Sequence, residues 1–182
     1  VRLIIGGDEE AGSWKCMERY KKTEELPSIA FSPDAEYPVV FGEKGLLRVE
    51  ISGDEKNIAP DFSFNGGKVI NVVPDEATAF IDGKELTKKG KAAHGSTPEK
   101  GDNAVVKLGK EIAKLYPDSS FAKLMELTSA EALGIDIADE VTSISVNPSI
   151  LVADSKKCSL SYDIRYPITA NGEKVIANIK KA

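Results

Sequence analysis

Along this 182-residue chain the apolar positions follow two kinds of pattern, which change near residue 42. Leu3-Ile4-Ile5 is a continuous apolar run that leads through Gly6-Gly7 into Asp8, Glu9 and Glu10. Trp14, Met17 and Tyr20 then recur every third residue, with Lys and Arg between them, as on a one-sided helix. Ser28 to Phe31 is a second short run, closed by Ser32-Pro33-Asp34. Strand, acidic turn, helix, strand is the grammar of a βαβ unit and predicts a parallel sheet. In such sheets ligands bind beyond the carboxyl ends of the strands, where both acidic clusters fall.

After Gly42 to Gly45 the period becomes two. Leu47, Val49 and Ile51 alternate with Arg48, Glu50 and Ser52, predicting a half-buried strand. Val69 to Val73 predicts a second strand, and Ala77, Ala79 and Ile81 a third, closed by the hairpin signal Asp82-Gly83. Val105, Leu108, Ile112 and Leu115 form a helical stripe, and Phe121, Leu124 and Met125 a shorter one. Cys158, Leu160, Tyr162 and Ile164 alternate strictly with Lys157, Ser159, Ser161, Asp163 and Arg165. Val175, Ile176 and Ile179 share a final helical face. The fold class expected is therefore mixed. A partial parallel α/β segment covers residues 1–44, and an antiparallel sheet with helices on one face, an α+β layer, covers 45–182. A chain that opens within a strand-like run and closes within a helical stripe reads equally as part of something longer or as a processed or designed chain.

Composition narrows the classes. The chain has 24 basic and 29 acidic residues, a net charge of −5, so nucleic acid and anionic membrane are not expected partners. No apolar run approaches the length of a membrane helix. Apolar residues make up 41%, enough for a core. Two distant cysteines suit a reduced, cytoplasmic setting better than a disulfide framework. A single histidine excludes a self-contained His-rich metal site.

Five places carry candidate chemistry. Adjacent carboxylates at a strand end repel one another unless a cation sits between them or one stays protonated. Glu10 could hold a metal while Glu9 takes a proton from water; a solvated turn favouring the next helix is the alternative. Asp34, stiffened by Pro33 and Pro38, could meet Glu10 at one sheet edge, or be a plain turn residue. His94, flanked by Ala and Gly, could donate to an oxyanion, or be an incidental loop histidine. Arg165 could grip a carboxylate with two N–H groups, or be an ordinary surface arginine. Asn71 interrupts an apolar stretch and needs hydrogen-bond partners if buried, from the protein or a ligand.

Together these segments resemble a family. Ile4 to Glu10, Trp14-Lys15-Cys16-Met17, Phe31-Ser32-Pro33-Asp34, Tyr37-Pro38-Val39, Gly42 to Gly45, Asn71 to Ala77, Ala93 to Gly101 and Ile164-Arg165-Tyr166-Pro167 resemble, in order, bacterial dipeptidase V. That is the Xaa-His, carnosinase-like type of di-zinc metallopeptidase, in the family of aminoacylase and carboxypeptidase G. The resemblance implies hydrolysis of dipeptides with a free amino terminus and two zincs per complete site, with manganese or cobalt as substitutes. It implies Glu9 as general base, Glu10 and Asp34 as metal ligands, His94 as oxyanion stabiliser, and Arg165 and Asn71 as substrate-binding residues. Residues 1–44 would belong to the catalytic domain and 45–182 to a ferredoxin-like lid, the part through which some relatives self-associate.

The departures matter too. The family's His-x-Asp segment, its bridging Asp and its late His do not occur here. The lid looks abridged near Ile58 to Phe64, between Glu85 and Lys91, and near Glu140 to Ser145. Omitted loops explain this better than a shortened homologue. The chain therefore reads as a central fragment, inactive alone. A non-catalytic lid or dimerisation module, or an aminoacylase or carboxypeptidase of the same family, is the alternative.

Overall fold

A computed structural model describes residues 2–8, 13–32, 40 and 42–182. Glu9, Glu10 and Asp34 lie outside the described residues. The chain divides into two compact units, residues 1–40 and 41–182.

In the first unit, helix α1 (Lys15–Thr23) forms where the threefold spacing predicts it. Asp8 closes its amino end: the carboxylate accepts from Ser13 Oγ at 2.6 Å, Lys15 N at 2.8 Å and Cys16 N at 3.3 Å. The two predicted flanking strands do not form. Residues 3–5 and 28–31 carry no strand, and Leu3, Ile5, Ile29 and Phe31 are exposed. A strand is held by a ladder on a neighbour and a covered face. Neither run has either among the described residues.

The second unit is an antiparallel sheet of six strands in the order β1-β6-β5-β2-β3-β4. The strands are β1 (Gly45–Asp54), β2 (Ser63–Gly66), β3 (Glu76–Ile81), β4 (Lys84–Lys89), β5 (Ser145–Asp154) and β6 (Lys157–Tyr166). Helices α2 (Ala104–Leu115) and α3 (Ser120–Glu126) pack on one face, and α4 (Gly172–Ile179) follows β6. This is the α+β layer that the alternating strands and helical stripes predict.

The periodicities explain which face is buried. Leu160, Tyr162 and Ile164 of β6, Leu151 and Ala153 of β5, and Ala77, Ala79 and Ile81 of β3 join Leu108, Ile112, Phe121 and Met125 in one core. Phe121 meets Phe62 edge-on with ring centres 5.0 Å apart. Asn103 caps α2 by accepting from Val106 N, and Ser119 caps α3 by accepting from Ala122 N. Leu115, the last of the predicted stripe, is exposed.

Three strands escape the sequence pattern. β4, Lys-Glu-Leu-Thr-Lys-Lys, is a charged edge strand with little apolar signal. β2 has four residues. β5 carries Pro148, which lies beyond the β2 pairing of Leu151 to Asp154 and where the β5–β6 register shifts between Pro148 and Ile150. Conversely, the strand predicted over 69–73 is a loop. Its one bridge joins Val72 to His94, because the backbone there pairs with the 90–95 segment rather than with the sheet.

Candidate functional site

The site is built on the sheet face opposite the helices. On β6, Tyr162 and Ile164 point into the core, so Asp163 and Arg165 point to the other face. Asn147 of β5 pairs with Asp163, and Ser145 with Arg165; on β1, Arg48 pairs with Asp163 and Leu46 with Arg165. Asp163 and Asn147 are fully buried.

Loop 67–75 covers this polar patch and is fastened by two β5 side chains. Asn147 Nδ2 donates to Val72 O at 3.1 Å and to Ser149 Oγ at 3.0 Å. Ser149 Oγ donates to Ile70 O at 2.5 Å. The loop in turn holds the histidine segment. Gly95 N donates to Asn71 O at 2.7 Å, and Val73 N to Ala93 O at 2.9 Å. The structure thus joins the segments that carry Asn71 and His94, through Asn71–Gly95 and Val73–Ala93, and Asn147 links them to the strand position opposite Asp163.

His94 is exposed, and its ring is oriented locally. Nδ1 accepts from Ser96 N at 3.2 Å and lies 2.7 Å from Ser96 Oγ. The two Ser96 contacts hold the Nδ1 edge of the ring, which leaves Nε2 as the outer nitrogen.

Arg165 is held from the side. Nε donates to Asp163 Oδ1 at 2.7 Å and Nη2 to Asp163 Oδ2 at 3.2 Å. The pair places a fully buried carboxylate against a guanidinium whose side chain is 21% exposed. Charge-assisted fork geometry of this kind is strong and directional.

Sequence reasoning passed over Asp163, Asn147, Ser149 and Ser96. Asp163 had a signal: it sits two positions before Arg165 on the strictly alternating strand. Asn147 and Ser149 had none, because only the tertiary fold lays a loop over their face. The cleft of about 510 Å³ between loop 67–76 and β2–β3 touches this cluster only at Val72, and neither His94 nor Arg165 lines it.

Among the described residues no three His, Cys, Asp or Glu side chains converge as a metal site needs. Asp8 is engaged by α1, and hydrogen bonds from Cys16 and Ser13 hold its carboxyl below the usual range. The described residues therefore do not themselves furnish a metal centre. Among them no helix is long and apolar enough to cross a membrane.

An antiparallel α+β layer thus carries a histidine loop and a paired arginine on the face opposite its helices. Residues 81–182 match the peptidase dimerisation domain of the M20 peptidases, and the chain belongs to that family. The whole chain aligns at 32% identity with 48% of a protein of Staphylococcus haemolyticus named "Putative dipeptidase". At 30% identity, 97% of it aligns with 47% of a protein of the same name from Staphylococcus aureus strain USA300. The chain spans about half the length of the curated relatives it matches. The first alignment runs over 227 positions against the 182 residues here.

Proposed function

We propose that the whole protein is a metal-dependent dipeptidase acting on short peptides with a free amino terminus, and that residues 45–182 form its lid. The observation that carries this reading is the exposed His94 ring, held at its Nδ1 edge by Ser96 in a loop of small residues. With Nδ1 engaged by Ser96, Nε2 is the nitrogen left to donate to a scissile carbonyl and to the oxyanion that follows. Arg165 supports it, because the guanidinium edge away from Asp163 can take a peptide's terminal carboxylate. Asn71, whose backbone is bonded to Gly95 next to His94, is the further substrate-binding residue in this reading. The relatives' names agree with a dipeptidase.

In this reading Glu10 and Asp34 contribute to a zinc site, with manganese or cobalt as substitutes, and Glu9 is the general base. Bound metal would supply Lewis acidity and a more acidic water. The chain's own residues divide the remaining work: Glu9 moves the proton, His94 meets the developing negative charge, and Arg165 fixes the carboxylate end. The compartment is cytoplasmic in this reading, and self-association runs through the family's dimerisation domain. The match to that domain favours a second reading for the isolated chain, a module without activity of its own.

The test is Glu9→Ala in the whole protein. Metal content should persist while dipeptide turnover is almost abolished; near-normal kcat rejects Glu9 as the base. His94→Ala should lower kcat by about 10²–10³-fold, the cost of one oxyanion donor. Faster cleavage of N-acylated than of free dipeptides would move the reading to the aminoacylase or carboxypeptidase branch. Tight binding of two zincs by the isolated chain would refute its reading as an inactive module.

A further inference from the structure

We propose that Asp163 is the positioning residue that aims Arg165 at a carboxylate, and so makes the site selective for peptides with a free carboxyl terminus. The inference rests on the dipeptidase reading and deepens it.

A fully buried carboxylate is costly unless paired, so Asp163 calls for a structural reason. The reason lies in which edge of the guanidinium it occupies. Asp163 takes the side edge, Nε and Nη2. An arginine has five N–H donors on a rigid plane. The end edge, formed by Nη1 and the outer Nη2 proton, keeps parallel donors. No side chain or carbonyl among the described residues accepts from Nη1.

The neighbours leave this division intact. Arg48, opposite Asp163 on β1, is exposed and forms no ion pair with it among the described residues. Asn147, opposite on β5, spends its amide donors on Val72 and Ser149. Asp163 therefore acts on Arg165 alone, fixing the plane so that a second carboxylate can dock on the end edge. A lysine, with three freely rotating donors, offers no second pair of parallel N–H groups and cannot hold the two partners in fixed geometry.

Charge and aim make opposite predictions, which renders the idea decidable. If the charge of Asp163 mattered most, it would repel a substrate carboxylate, and Asp163→Asn would tighten binding. If aim matters most, Asp163→Asn weakens binding of the carboxylate-bearing substrate alone.

The experiment is steady-state kinetics of the whole protein on a dipeptide and on its carboxyl-terminal amide. Asp163→Asn should raise KM for the free dipeptide about tenfold, leave kcat within about threefold, and leave KM for the amide unchanged. Arg165→Lys should give the same split. The double variant should be no worse than Arg165→Lys alone, since both changes remove one interaction. A fall or no change in KM overturns the proposal, as does an equal loss on both substrates. If Asp163→Asn does not fold, the Arg165 Nε–H signal in the NMR spectrum of the native protein decides: slow exchange with solvent upholds the clamp, and free exchange overturns it. Failure of the wild type to cleave any dipeptide removes the dipeptidase reading and this inference with it. Cleavage that is indifferent to Asp163 removes this inference only.

Discussion

Gly67 and Gly83 offer a matched pair for testing how loop 67–75 is anchored. Both lie in the left-handed region, at φ +77° and +71°. An L-residue there costs about 1–2 kcal/mol from its own backbone. At Gly83, in the β3–β4 turn, an added Cβ meets nothing within 4 Å. Gly83→Ala should therefore cost about 1–2 kcal/mol and no more. At Gly67 the added Cβ would lie 1.8 Å from Ser149 O, 2.9 Å from its carbonyl carbon and 3.1 Å from Ile150 Cα. All three are backbone atoms of β5, and ordinary contact is about 3.5 Å, so the loop must shift. That shift strains the bonds from Ser149 Oγ to Ile70 O and from Asn147 Nδ2 to Val72 O. Losing both adds about 2 kcal/mol, and more if a buried acceptor is left unpaired. Gly67→Ala should cost about 3–5 kcal/mol in all. The assay is denaturant unfolding of the chain and both variants with matched m-values, together with hydrogen exchange. The amides of Val73 and Gly95, bonded to Ala93 and Asn71, should lose protection in Gly67→Ala but not in Gly83→Ala. If the two variants lie within about 0.5 kcal/mol of each other, the close approach of loop and strand does not hold the histidine segment, and the argument fails.

Two further outcomes follow from the core. Tyr162 is fully buried and donates its hydroxyl to Leu127 O at 3.1 Å. Tyr162→Phe leaves that carbonyl without this partner and should cost about 1–3 kcal/mol, read as a fall in Tm. Burial, and secondarily the Glu55 charge, pushes the Cys158 thiol up to about 11. Its folded value is raised, so the unfolded chain releases this proton first. The associated stability is whole below the unfolded value of about 8.5 and is lost as pH rises from there toward 11. Unfolding free energy measured at pH 8 to 10 should fall, and Cys158→Ala should flatten that slope; an unchanged slope rejects the assignment.

Periodicity was sufficient wherever burial is one-sided. The alternation in β1, β3 and β6 and the stripes of α2 and α3 set which side chains enter the core, and the structure keeps those faces except at Leu115. Among the candidate site residues, His94 stood out because it sits among small residues and Asn71 because it interrupts an apolar stretch, whereas Arg165 keeps the alternation of β6. How they act together was not legible. Asn147 and Ser149 look like flaws in a buried strand until loop 67–75 is laid across them. Asp163 looks like a solvent-facing position until β1, β5 and the loop enclose it. Apolar runs alone could not make strands of residues 3–5 and 28–31, because a strand is decided by a partner and not by its own sequence. Local spacing thus determined the elements and their inner faces, since side-chain direction repeats with the backbone. Tertiary structure decided the loop fastening and the burial of Asp163 and Asn147, since each depends on which distant backbone and side-chain groups meet.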